Sequence, residues 1–173
     1  LELGTAQGLS QPPLPPYLQR TRLDQSVNGL LQAQRVSYPL VSLGQVASGV
    51  GALLQIPDAV DGVIRGEPLA FRYSDQVYPS MALMLAARSL DLQPGDLRIA
   101  PEKGELTLGH LRVATDSQSR MLSYFYRANG GKPAFPVDSF FDVYSGKVAL
   151  DKYRDRIVLI GTSAAGVGDH FTT

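Results

Sequence analysis

The residues best placed to do chemistry stand together in RIVLIGTSAAGVGDHFTT, residues 156–173. A run of β-branched and aliphatic residues, Ile157 to Ile160, empties into Gly161, Thr162, Ser163, Ala164, Ala165 and Gly166. Phosphate-binding loops and hydrolase nucleophile turns are built this way. The glycine spacing fits a P-loop, but Val167 and Gly168 stand where Lys and Ser or Thr must reach the phosphates and Mg²⁺. A dinucleotide fingerprint would need a third glycine, a crossover helix and a ribose-binding acid. The segment Gly161 to Ala165 differs from Gly-x-Ser-x-Gly only at its last position. Its triad partners would have to be Asp169 and His170, sequence neighbours whose side chains rarely converge on one Ser. A serine hydrolase using Ser163 and a nucleotide-binding module are therefore the rival readings, each with an incomplete set of groups, and no catalytic residue is assigned. The hydroxyls of Thr162 and Ser163 can instead satisfy backbone groups where a strand ends. If a pocket lies beyond the C-terminal end of that strand, Thr162, Ser163 and Asp169 would offer it polar contacts. Arg65 is a further candidate, for an anion.

The remaining reactive residue types form no constellation. His110 and His170 have no carboxylate or second His at ligand spacing, which favours surface or hydrogen-bonding roles over metal. Asp58, Asp61 and Gly62 resemble a calcium loop only in outline, since further oxygen donors and a terminal Glu are missing; a structural turn is expected. Met81 and Met84 suit gap-filling in a core. Tyr124, Phe125 and Tyr126 read as core plus rim on an alternating strand. No metal and no cofactor is expected.

Composition narrows the partners. Lys and Arg number 16, and so do Asp and Glu, so the chain lacks the basic excess that holds nucleic acid, and no nucleic-acid partner is expected. Cysteine is absent, which removes disulfides and thiolate metal sites and suits a periplasm. The 173 residues can bury about 70% of their unfolded surface as one domain. The sequence starts at Leu1, has neither a leader nor an 18-residue apolar stretch, and stops just after a buried-looking strand, so it reads as excised from a longer chain.

The elements that would position these residues follow from pattern. Residues 11–16, Gln-Pro-Pro-Leu-Pro-Pro, predict a loop or extended arm, followed by a helix near 16–26. A short helix is expected in 40–47. Strands over 51–57 and 63–73 flank Asp58-Ala59-Val60-Asp61-Gly62, and Asp-Gly between apolar runs predicts an antiparallel hairpin. Residues 78–90 are the strongest helix, with Pro79 in its first turn and too little polar surface to be other than largely buried against a sheet. Short strands are predicted at 97–99, 105–108, 111–114 and 122–127. A short helix lies within 136–146, capped by Asp138 and ended by Gly146. The run 156–160 should be a strand in the sheet interior. The sum is a mixed α/β fold: a single domain whose mixed central β-sheet is flanked by helices and includes one antiparallel hairpin.

Four stretches in order resemble the CHASE2 family of extracytoplasmic sensor domains. They are PDAVDGVIRGEPL (57–69), YPSMALMLA (78–86), FPVDSFFDVYSGKV (135–148) and YRDRIVLIGTSAAGVGDHFTT (153–173). The turn at 58–62 is one residue longer than the family's usual acidic turn, so Asp58 and Asp61 both compete for the matching position. The resemblance spans roughly 36–173, a sensor core truncated at its C-terminus, with the Pro-rich arm and helix of 1–35 belonging to the same domain. It implies an input module on the periplasmic or extracellular face of the bacterial cytoplasmic membrane, tethered by flanking transmembrane helices. Similar domains feed adenylate or diguanylate cyclases, histidine kinases or Ser/Thr kinases. The implied partner is an unidentified small molecule or protein, and homodimerisation is left open.

Overall fold

The computed structural model describes residues 2–3, 13–127, 130 and 133–162. The chain divides into two units, Leu1–Ser123 and Tyr124–Thr173, and the class is mixed α/β.

In the first unit a four-stranded mixed sheet has the order β1-β2-β4-β5. Strand β1 (Glu2–Leu3) is antiparallel to β2 (Leu31–Arg35), and β2 is parallel to β4 (Ala70–Tyr73) through Leu31 opposite Phe71. Strand β4 then turns through Ser74 and Asp75 into antiparallel β5 (Gln76–Pro79). Phe71 and Tyr78 face each other in that ladder, their rings stacked at 6.2 Å. Helix α1 (Pro16–Gln19) adds Tyr17 and Leu18 to the same core cluster, together with Leu14, Ala33 and Tyr73.

The predicted helix over 16–26 is therefore one turn long. Leu23 leaves it to bridge β5, donating its N–H to the Val77 carbonyl at 2.9 Å. Residues 31–35, beyond that predicted helix, form β2. The arm is irregular over 13–15, and Pro16 takes the first helical position, where a missing N–H costs nothing. The expected short helix is present as α2 (Val41–Val46). Arg20 holds its end by donating to the carbonyls of Gly44, Gln45 and Ala47.

The hairpin expected around 58–62 is not formed. Asp58 and Val63 close a local turn, with the Asp58 N–H donating to the Val63 carbonyl and the Gly62 N–H to the Asp58 carbonyl. The flanking runs find other partners: Ala52 bridges Ser80 in parallel, and β3 (Gly66–Pro68) pairs antiparallel with β9 (Arg120–Leu122). The antiparallel hairpin of the mixed sheet is β4–β5.

Helix α3 (Met81–Ser89) starts two residues after Pro79, which ends β5 instead of opening the helix. Ser80 is its N-cap, its Oγ accepting the Leu83 N–H at 3.1 Å. Its C-terminus is a Schellman motif: Leu92 N–H donates to the Ala87 carbonyl and Asp91 N–H to that of Arg88, with Asp91 left-handed at φ 56°. Leu83, Met84 and Ala87 are buried whereas Ala82, Arg88 and Ser89 are exposed, so one face is buried, not the whole helix. That face meets a three-stranded antiparallel meander, β6 (Leu97–Ala100), β7 (Glu105–Leu108) and β8 (Leu111–Ala114), in the expected places. Leu23, Leu97 and Leu106 are essentially inaccessible in this core. Burying each contributes roughly 1.5–3 kcal/mol.

In the second unit α4 (Phe140–Tyr144) ends before Gly146, whose φ of 75° suits only glycine comfortably. Its N-cap position is Ser139, not Asp138. The Asp138 carboxylate instead accepts from Lys152 Nζ at 2.7 Å and from the Tyr153 hydroxyl at 2.9 Å. These donors hold Asp138 below the usual carboxylate range. Two expected strands fail here. Tyr124, Phe125 and Tyr126 lie beyond β9 and are exposed, with Tyr126 edge-on to both Tyr124 and Phe135 at 5.1 and 5.4 Å. Residues 156–160 are not paired as a strand, and Ile160 is 80% exposed. Apolar β-branched sequence supplies propensity, but a strand needs a ladder partner, and none is present among the described residues.

Candidate functional site

Two polar regions of the first unit can be built from their elements. The first is the turn at 58–65. Asp58 Oδ1 accepts the Val60 N–H at 2.8 Å and Asp61 Oδ1 the Val63 N–H at 3.1 Å, so each Asp closes its own short turn. Arg65 then donates to both Asp61 oxygens, at 2.9 and 2.6 Å, and its Nη1 lies 3.5 Å from Asp58 Oδ2. The Arg65 guanidinium and the Val63 amide hold the Asp61 carboxyl at about 2, and Asp61 in return raises Arg65. The turn is a closed ion-pair loop whose tip, Val60, is 94% exposed.

The second region is a surface groove of about 250 Å³ lined by Arg22, Leu23, Asp24, Gln25, Ser26, Asp75 and Gln76. The Leu23–Val77 bridge brings the 22–26 segment against the β4–β5 turn. Gln25 is fixed by its side chain, donating to the Leu97 carbonyl at 2.8 Å and accepting the Ile99 N–H at 3.0 Å. Gln76 Oε1 accepts from the Tyr78 hydroxyl at 2.7 Å. Burial pushes the Tyr78 hydroxyl up, and the Arg22 charge nearby opposes that shift. Arg22, Asp24 and Asp75 are exposed and make no ion pair with a described residue.

Of the residues singled out in sequence, Arg65 is engaged by Asp61. Thr162 is exposed near the end of the described chain. Ser163, Asp169 and His170 lie outside the described residues. His110 sits exposed in the turn between β7 and β8. No group of three His, Cys, Asp or Glu able to hold a metal occurs among the described residues. Sequence reasoning missed the groove because its walls are some 50 residues apart, and neither Arg22-x-Asp24 nor Ser74-Asp75 is a motif. The one local hint was charge: three ionised residues beside the strongly apolar positions Leu23 and Val77.

The turn at 57–69 and the Pro-Ser start of α3 are segments that carried the resemblance noted above, and a family comparison decides it. The family model of the CHASE2 domain matches residues 7–173. The chain is a CHASE2 domain. CHASE2 domains are extracytoplasmic sensor domains, not catalysts. No curated protein and no solved structure matched the chain. Among the described residues of this CHASE2 domain, no helix is long and apolar enough to cross a membrane.

Proposed function

We propose that this CHASE2 domain is the input module of a bacterial transmembrane signalling protein. It binds a small molecule or protein outside the cytoplasmic membrane and passes the event through flanking membrane helices to a cyclase or kinase inside. The observation that carries this reading is the family match over nearly the whole chain. The balance of 16 basic and 16 acidic residues fits recognition by local charge more than by a global field. Signalling requires that the ligand bind two conformations of the protein with different affinities. The loop residues Thr162, Ser163 and Asp169 belong to this proposal as ligand contacts. Arg65 is a separate anion candidate, and its guanidinium is already engaged by Asp61.

The test is the topology of the full-length protein. Alkaline phosphatase fused at the position of this domain should be active, and β-galactosidase fused there inactive, because phosphatase matures only outside the cytoplasm. The reverse pattern removes the sensor reading.

A further inference from the structure

We infer that the groove between residues 22–26 and the Ser74–Asp75 turn is a binding site for a small amino acid, preferentially one with a cationic side chain. The inference deepens the sensor reading by naming the ligand class, and it rests on that reading only for the ligand's role as a signal.

The first argument is that charges of both signs line one space without pairing. Some opposite charges elsewhere meet in pairs, as Arg65 does with Asp61, Arg120 with Asp116 and Lys152 with Asp138, each within 2.7 Å. Around the groove Arg22, Asp24 and Asp75 line one space without closing on one another. A ligand carrying both signs can satisfy all three. A guanidinium offers paired N–H donors to a carboxylate, so Arg22 suits the α-carboxylate end. Asp24 and Asp75 are acceptors only when ionised, so they suit ammonium or guanidinium groups. One cation facing two carboxylates leaves the lining one charge negative, which a diamino acid neutralises and an acidic amino acid aggravates.

The second argument is a lining fixed before any ligand arrives. Leu23 is tied to Val77 by a backbone hydrogen bond, Gln25 is held at both ends of its amide by β6, and Gln76 is held by Tyr78. The backbone and amide walls are therefore set in advance, and the ordering left for binding is that of the Arg22, Asp24 and Asp75 side chains. Asp75 is held at the tip of the β4–β5 turn with φ 60°, next to Ser74 at φ 48°. At about 250 Å³ the space is just below the ~300 Å³ at which drug-sized sites begin, so it suits a metabolite.

The pairs would form at an exposed surface, where each is worth little and is screened by salt, so binding should be weak, with Kd on the order of 1 mM or above. The experiment is calorimetric titration of the 173-residue chain at low ionic strength with L-lysine, L-glutamate and cadaverine. L-Lysine should bind saturably and L-glutamate at least tenfold more weakly. Arg22→Gln should weaken L-lysine about two- to fivefold while cadaverine, which has no carboxylate, binds no more weakly than before. Asp75→Asn should weaken both; Asn also tolerates the left-handed backbone. Circular dichroism of each variant establishes that it is folded. No saturable L-lysine binding by folded protein, or binding that both substitutions leave unchanged, overturns the inference. An active phosphatase fusion with no L-lysine binding removes this site and leaves the sensor reading standing. An inactive fusion removes the sensor reading whatever the groove binds.

Discussion

The side chain of Gln25 pairs with the backbone of Ile99 as a neighbouring strand would. Its Oε1 accepts the Ile99 N–H at 3.0 Å while its Nε2 donates to the Leu97 carbonyl at 2.8 Å. Strand β6 is an edge of its sheet, and a single amide therefore covers donor and acceptor groups that an edge leaves open. The same residue forms part of the groove, so one contact both seals the meander and positions the proposed site.

Replacing Gln25 by Leu keeps the volume and removes both bonds. Each partly buried group left without a partner costs about 1–3 kcal/mol, so urea denaturation should show a loss of that order. Amide exchange should quicken at Ile99 more than at Leu106, whose N–H lies in the middle strand. Unchanged Ile99 protection would mean that Gln25 does not cover the edge.

The Asp61 and Arg65 pair makes a prediction in pH. Asp61 is held at about 2 against an ordinary 3.8, so its ionised form is favoured by the folded turn. That contribution is complete above about pH 4 and is lost as the pH falls toward 2. Carboxyl NMR of the native chain should place the Asp61 midpoint near 2, and Arg65→Gln should raise it part of the way back toward 3.8, the Val63 amide still lowering it. Both groups face solvent, so stability at neutral pH should hardly change. An Asp61 midpoint that Arg65→Gln does not move would show that the Val63 amide alone lowers it.

At Gly51 the usual benefit of adding a methyl group reverses. A Cβ there would stand 2.4 Å from Met81 Cα and 2.6 Å from Met81 N, backbone atoms that cannot rotate aside. The neighbouring Ala52 exchanges hydrogen bonds with Pro79 and Met81 across this approach. Gly51→Ala should force the segment away from the start of α3 and cost about 1–3 kcal/mol, as overpacking does. A thermal midpoint equal to that of the native chain would argue against the close approach.

What was legible in sequence was local, and what was missed was long-range. The meander β6–β7–β8 was readable because apolar alternation and Gly104 and Gly109, both at positive φ, lie within a few residues of the pairs they join. Helix α3 was readable from its formers, although its cap proved to be Ser80. By contrast no strand is predicted where β2 forms, because Leu31-Gln32-Ala33-Gln34-Arg35 is half polar and its partner β4 lies about 40 residues on. The Asp-Gly signal at 61–62 was real as a turn but carried no information on where its flanks would pair. The hairpin that does form turns at Ser74-Asp75, with neither Gly nor Asn to announce it. Arg65 was a reasonable anion candidate by type, and only the structure reveals the carboxylate already on it. The groove, assembled from two turns far apart in sequence, could not be read from either one.

Ser119 separates a side-chain cost from a backbone cost. It is fully buried, its Oγ has no hydrogen-bond partner among the described residues, and its backbone is left-handed at φ 58°. The backbone is held there by neighbours: the Ser119 N–H donates to the Asp116 carbonyl, and its carbonyl accepts the Leu69 N–H, both at 3.0 Å. Ser119→Ala removes the unsatisfied hydroxyl without changing what the backbone must do, so it should raise stability by about 1 kcal/mol. Ser119→Val also removes the hydroxyl, but a β-branched residue tolerates the left-handed region poorly and overfills the site, so it should lower stability by about 2 kcal/mol or more. Denaturant midpoints of the two variants should therefore move in opposite directions. A loss in Ser119→Ala would mean that the hydroxyl is satisfied in solution by an internal water or that its packing contacts outweigh its desolvation.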